Sequence, residues 1–200
     1  MIDFYLTMRF VVLFLVAIWL LAVISLHFLK PDFTPNNHTC SEYAIGKFGF
    51  IMNIAFFAMA IANILLAFSF IHKNNIFTGV LFAIIALGFI GLGIFRADLT
   101  ISDIPETTTG RIHLLFGFIA MFTINVLTFI LAGKEIADIV LWILASICAA
   151  SFIVFVISSN IEAPVFFGIA QRIYLSVATI WFLYVAIKLY VFNAVVEVFP

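Results

Sequence analysis

The sequence predicts an all-α integral membrane protein, a bundle of six transmembrane helices forming one domain over residues 1–200. Three observations lead there. Of the 200 residues 66% are apolar and 10% charged, and the mean hydropathy is +1.30, more than a soluble core of this size can hide. Apolar runs close to the roughly 20 residues that cross about 30 Å of hydrocarbon recur six times. Long polar connections alternate with minimal ones, the pattern of a chain that threads back and forth.

The runs are Phe10 to Phe28, Phe48 to Ile71, Ile76 to Phe95, His113 to Ala132, Ile136 to Ile157 and Ile173 to Phe192. Each must be helical, because an unpaired backbone amide in lipid costs several kcal/mol and the runs are too long and too uniformly apolar for barrel strands. Arg9 and the run ending in Val23-Ile24-Ser25 imitate a signal peptide, but we read them as a retained first span. The short links His72 to Asn75 and Gly133 to Glu135 predict tight hairpins between spans two and three and between four and five. Ala58, Ala60, Ala62, Ala145 and Ala149, with Gly88, Gly91 and Gly93, offer surfaces where helices can approach closely.

The remaining connections, Leu29 to Lys47, Arg96 to Ile112 and Ser158 to Arg172, are polar and emerge on one face. Both termini then lie on the opposite face. Lys and Arg are nearly balanced across the two faces, so charge counting orients the bundle only if the basic residues of the long loops are set aside as site residues. The termini are then cytoplasmic, in the plasma (inner) membrane. A net charge of −1 with no basic patch excludes a nucleic-acid surface. Cys40 and Cys148 belong to different depths, so no disulfide is expected, and no Cys/His spacing suits a structural zinc knuckle.

Several segments carry a resemblance. They are His27 followed by Pro31, the run Ser41-Glu42-Tyr43-Ala44-Ile45-Gly46-Lys47-Phe48-Gly49, Gly93-Ile94-Phe95 with Asp98, Thr109-Gly110-Arg111-Ile112-His113, and Gln171-Arg172. Together they resemble the domain-of-unknown-function family 998, small multi-span membrane proteins of bacteria and archaea. The chain departs from the pattern in having Ala97 and Leu99 around Asp98, where a proline is expected nearby. The resemblance implies a six-span fold and brings no established activity. More loosely, span number and loop placement are similar to eukaryotic membrane families of lipid-anchor remodelling, an analogy of layout.

The same segments bring chemistry-bearing residues to the ends of the spans on the long-loop face. His27, Glu42, Asp98, Arg111, His113, Glu162, Gln171 and Arg172 are expected to line one polar cup that binds or processes a lipid head group. In the catalytic form of this reading His27, His113 and Asp98 hold a divalent metal, with Asp98 or Glu162 as carboxylate ligand or general base, for hydrolysis of a lipid ester or amide. Arg111 and Arg172 clamp a phosphate or carboxylate, and Glu42 and Gln171 complete the binding wall.

Each residue also has a plainer reading. Thr39-Cys40-Ser41-Glu42 and Ser159-Asn160-Ile161-Glu162 fit the S/T-x-x-E capping box. Asp98 can pair with Arg96 or Arg111, and His38 and His72 fall in connections where they are expected to be solvated. A bis-histidine haem between His27 and His113 lacks the second pair that electron transfer across the membrane would need. A non-catalytic site for a membrane lipid, a protein partner or a second copy of the chain is the alternative. A transporter is the further one, disfavoured because no ionisable side chain lies midway along a span. Only Asn53, Asn63, Thr123, Asn125 and Thr179 interrupt the interiors, with amides and hydroxyls suited to bonds between helices.

Overall fold

The structure, a computed structural model, describes residues 2–99, 106–135, 138–159 and 166–198. Six helices run through it: α1 (Ile2–Leu29), α2 (Gly49–His72), α3 (Ile76–Ile94), α4 (Thr108–Ile130), α5 (Ile139–Ser159) and α6 (Phe167–Val198). A 3₁₀ turn (Ser41–Ala44) precedes α2, and a π turn (Leu131–Glu135) follows α4. All six helices are long and apolar enough to cross a membrane, so the protein is an integral membrane bundle.

Each helix packs mainly on its neighbours in sequence, and α6 closes on α1 to complete a ring. The closest pairing is α2 on α3. Its hairpin is set by Asn74 in the left-handed region and by Asn75, whose side chain caps α3 by accepting from Thr78 N–H at 3.3 Å. Small residues make α3 the seat of α4. A Cβ at Gly88 would lie 2.7 Å from the Ala120 Cβ, and one at Gly91 would enter the Phe116 ring at 2.1 Å. Ala58, Ala60, Ala62 and Ala145 are all buried as expected of contact positions.

The second expected hairpin differs. Helices α4 and α5 meet far less closely than α2 and α3, and eight residues, the π turn among them, separate them where three separate α2 from α3. Only Leu141, Ala145, Cys148 and Ser151 of α5 are buried, a narrow stripe, and the space between the two helices widens into a cavity. Span boundaries move for local reasons too. Helix α4 starts at Thr108 rather than at His113, because the Thr107 hydroxyl accepts from Gly110 N–H at 3.0 Å and caps it.

Several polar groups inside the bundle donate hydrogen bonds, although the Asn63 and Asn125 Oδ1 atoms have no partner. Trp19 Nε1–H donates to Thr179 Oγ1 at 3.2 Å, joining α1 to α6, and the Asn125 amide donates to the Tyr174 hydroxyl at 3.3 Å, joining α4 to α6. Asn63 donates within its own helix, to Met59 O at 2.8 Å. Such bonds hold helices together where the hydrophobic effect cannot, since lipid is as apolar as leucine. Cys40 and Cys148 are buried free thiols.

Candidate functional site

The residues expected to share one cup separate into two clusters at the long-loop face. The first is built around Arg172, which stands on the first turns of α6 and reaches across to the end of α1. Its Nε–H donates to His27 Nε2 at 3.0 Å and its Nη2 to the Tyr43 hydroxyl at 3.0 Å. Its Nη1 faces the carbonyls of Pro35 (3.1 Å), His38 (2.6 Å) and Gly168 (3.0 Å). Gly168 allows this fit, because a Cβ there would lie 2.3 Å from the Pro35 and His38 oxygens. The loop after α1 is thereby fastened over the start of α6, where Gly168 N–H also donates to Asn36 O.

This cluster uses up its own functional groups. His27 Nδ1 lies 2.7 Å from Val23 O, a contact that needs an N–H on that nitrogen, while Nε2 must accept from Arg172. Both ring nitrogens of His27 are therefore engaged, and Arg172 faces backbone rather than open space. Lys30 behaves likewise: buried, it donates to Tyr43 O at 3.0 Å and to Ile45 O, and burial lowers its pKa. Burial also raises the pKa of Tyr43, an effect that Arg172 opposes.

The second cluster surrounds a cavity of about 890 Å³, within the range of about 300–1,000 Å³ usual for small-molecule sites. Its rim is polar: Thr39 and Ser41 from the first loop, Asp98 and Glu106 from the loop before α4, His113 from α4, Ser159 from α5 and Gln171 from α6. Its depth is apolar, closed by Trp19, Met52, Phe56, Phe89 and Ile124. His113 is 2% exposed and points Nδ1 at Phe95 O, 2.8 Å away, whereas its Nε2 has no hydrogen-bond partner. Gln171 Oε1 accepts from Cys40 N–H at 2.7 Å, anchoring the rim to the first loop. Beside it the Cys40 thiol is pushed up to about 11 by burial, with Arg172 pulling weakly the other way.

Asp98 stands at the rim but is tied to the start of α4. Its carboxylate accepts from Thr107 N–H at 2.7 Å and from the Thr107 hydroxyl at 2.8 Å, and it pairs with neither Arg96 nor Arg111. A Cβ at Gly110 would lie 2.0 Å from Asp98 Oδ2, so only glycine admits the carboxylate here. Glu42 takes its capping role: Thr39 N–H donates to Glu42 Oε1 at 2.9 Å, and Glu42 N–H returns a bond to Thr39 Oγ1 at 3.3 Å.

Arg111 points away from the cavity. Residues two positions apart in a helix differ by about 200° around the axis, so Arg111 and His113 cannot both face inward; Arg111 is 69% exposed and pairs with Glu106 at 3.5 Å. Among the described residues no group of three His, Cys, Asp or Glu side chains lies close enough to hold a metal ion, so His27, His113 and Asp98 do not gather as a ligand set. Glu162, with its capping-box sequence, lies outside the described residues. His38, expected to be solvated, packs its ring on Phe33 with centroids 4.9 Å apart.

Tyr43, Thr107 and the cavity-lining Cys40 were not singled out as site residues from the sequence. Tyr43 stands in the Ser-Glu-Tyr-Ala segment between a capping box and a span, a position from which a phenol reaches the polar layer. No curated protein and no solved structure matches the chain. A family model described as "Protein of unknown function (DUF998)" matches residues 14–188, from within α1 to the end of the sixth span. With the sequence motifs now placed on one face of a six-helix bundle, the chain belongs to the DUF998 family.

Proposed function

We propose that the protein binds a single membrane amphiphile, with its head group at the polar rim and its hydrocarbon chain in the apolar depth of the cavity. One observation carries this reading. The cavity runs beside the thin seam between α4 and α5, and two apolar residues of its wall, Leu114 and Phe118, are 61% and 54% exposed. Such residues meet lipid in a membrane, so the wall is continuous with the bilayer and a lipid can enter sideways without leaving hydrocarbon.

Binding accounts for the site better than hydrolysis. His27 and Arg172 are held by each other and by backbone, and Asp98 by Thr107, which leaves His113 as the rim histidine with a free nitrogen. The arrangement supports retention or presentation of a lipid.

The same engagement supports an orientation with cytoplasmic termini, in the plasma membrane. Lys30 and Arg172 are bound to carbonyls of the long-loop face and are poor topology markers, which leaves Lys47, Arg96 and Arg111 there against Arg9, Lys73, Lys134 and Lys188 on the short-loop face, a small excess that favours cytoplasmic termini.

Native mass spectrometry of the purified protein tests the lipid reading. The wild type is expected to carry about one lipid per chain. Gly117→Phe, which projects a ring from the cavity wall, and Leu175→Trp are expected to lose it. Equal lipid content in folded wild type and both variants would refute the reading.

A further inference from the structure

The chemistry of the rim narrows the class of lipid, an inference that rests on the cavity being a lipid site. Every Lys and Arg of the chain is among the described residues, and none of the nine lines the cavity. Among the described residues, the charged groups on the rim are the carboxylates of Asp98 and Glu106. Arg111 leans outward to Glu106, Lys30 and Arg172 are bound to the first loop, and Arg96 is exposed. A phosphate or carboxylate head would thus meet like charge at the boundary of a low-dielectric space, with no cation to offset its desolvation.

Among the described residues, the one buried polar atom of the rim without a partner asks for the opposite of an anion. His113 gives its Nδ1 hydrogen to Phe95 O, so the neutral ring carries its lone pair on Nε2. That nitrogen has almost no accessible surface of its own and belongs to a nearly fully buried residue of the cavity lining, so a small shift of its neighbours opens it to a ligand. A buried acceptor left unpaired is costly, and a ligand hydroxyl placed there would relieve it.

We propose that the cavity selects an uncharged amphiphile whose hydroxyl donates to His113 Nε2, the class of long-chain alcohols and acylglycerols, over phosphate- or carboxylate-headed lipids. The acidic rim then acts as the filter against anionic lipid, and His113 supplies the positive recognition. Arg111 and Arg172, which the sequence offered as an anion clamp, have no part in it.

The test uses the full chain in phosphatidylcholine nanodiscs with three photoreactive probes of one chain length: an alcohol, its phosphate monoester and the chain without a head group. The alcohol is expected to label the cavity at the lowest concentration. His113→Asn keeps an amide near the position of Nδ1 for Phe95 O but has no atom at Nε2. It should weaken the alcohol roughly fivefold or more, down to the level of the headless chain. His113→Gln, which restores a polar atom at that reach, should recover part of the loss. Labelling by the phosphate ester equal to or stronger than the alcohol overturns the proposal, as does alcohol labelling that ignores His113→Asn. If none of the probes labels the cavity and Gly117→Phe changes nothing, the lipid-site reading itself falls, a result distinct from wrong selectivity.

Discussion

Arg172 and Arg111 show at the scale of single residues how little a residue type reveals until its surroundings are known. Both are guanidinium groups near the start of a helix on one face, yet Arg172 is forked among His27, Tyr43 and three carbonyls while Arg111 stands in the open beside Glu106. Arg172→Lys replaces a planar fork by a single ammonium that cannot reach both His27 and Tyr43. The expected loss is about 2 kcal/mol of stability, since hydrogen bonds to charged groups contribute about 1.5–3 kcal/mol each. The matching Arg111→Lys change should cost less than about 0.5 kcal/mol, as exposed pairs do. Thermal unfolding of both variants in detergent checks the contrast, and equal losses would contradict these assigned roles. The importance of Arg172 was legible in its motif, but its role was not, because three of its partners are backbone carbonyls that leave no trace in side-chain identity. The expectation of one cup for Arg111 and His113 overlooked a signal the sequence does carry, since a spacing of two sets them on opposite sides of any helix.

Among the elements, the short-loop ends of α5 and α6 are joined by a polar knot of different character. Asp138 accepts from Val140 N–H at 2.8 Å at the start of α5, from the Tyr184 hydroxyl on α6, and pairs with Lys188 at 2.9 Å. The hydrogen bond from Tyr184, then those from Lys188 and the Val140 amide, bring its pKa from 3.8 down to about 2. A carboxyl whose pKa is depressed on folding adds stability above its unfolded pKa and loses it as pH falls through the folded value. The α5–α6 contribution is therefore expected to be full above about pH 4 and to fade toward pH 2. Asp138→Asn should lower the unfolding temperature at pH 7, and the gap to wild type should close toward pH 2.5; a gap that persists there would deny the charge its part. The spans themselves were legible because hydropathy is local to each run. The looseness of α4 on α5 was not, because a link of fixed length says nothing of how far the helices diverge beyond it.

The whole molecule is a ring of helices in which α4 on α5 and α1 on α6 are the thin seams, and the α4–α5 seam, beside the cavity, decides how a ligand reaches it. Elsewhere the ring is closed by small residues, as where Gly88 and Gly91 let α4 settle on α3, or by polar ties such as Trp19 with Thr179. Across α4 and α5 the contact toward the long-loop face is aromatic: Phe118 and Phe152 have ring centroids 6.2 Å apart, and both line the cavity. Aromatic pairs of this kind contribute about 0.5–1.5 kcal/mol beyond their burial, a barrier that thermal motion crosses readily. Cysteines placed at 118 and 152 and joined by a short thiol-reactive linker would hold the two helices together at this point. If lipid passes sideways between them, the linked protein should take up and release a fluorescent lipid at least tenfold more slowly than the same variant before linking. Its affinity at equilibrium should change little, because the rim and the apolar depth are left in place. Exchange that is unaffected by the link would place the entrance at the aqueous mouth between the loops instead, and the exposed Leu114 and Phe118 would then be no more than the ordinary lipid-facing surface of α4.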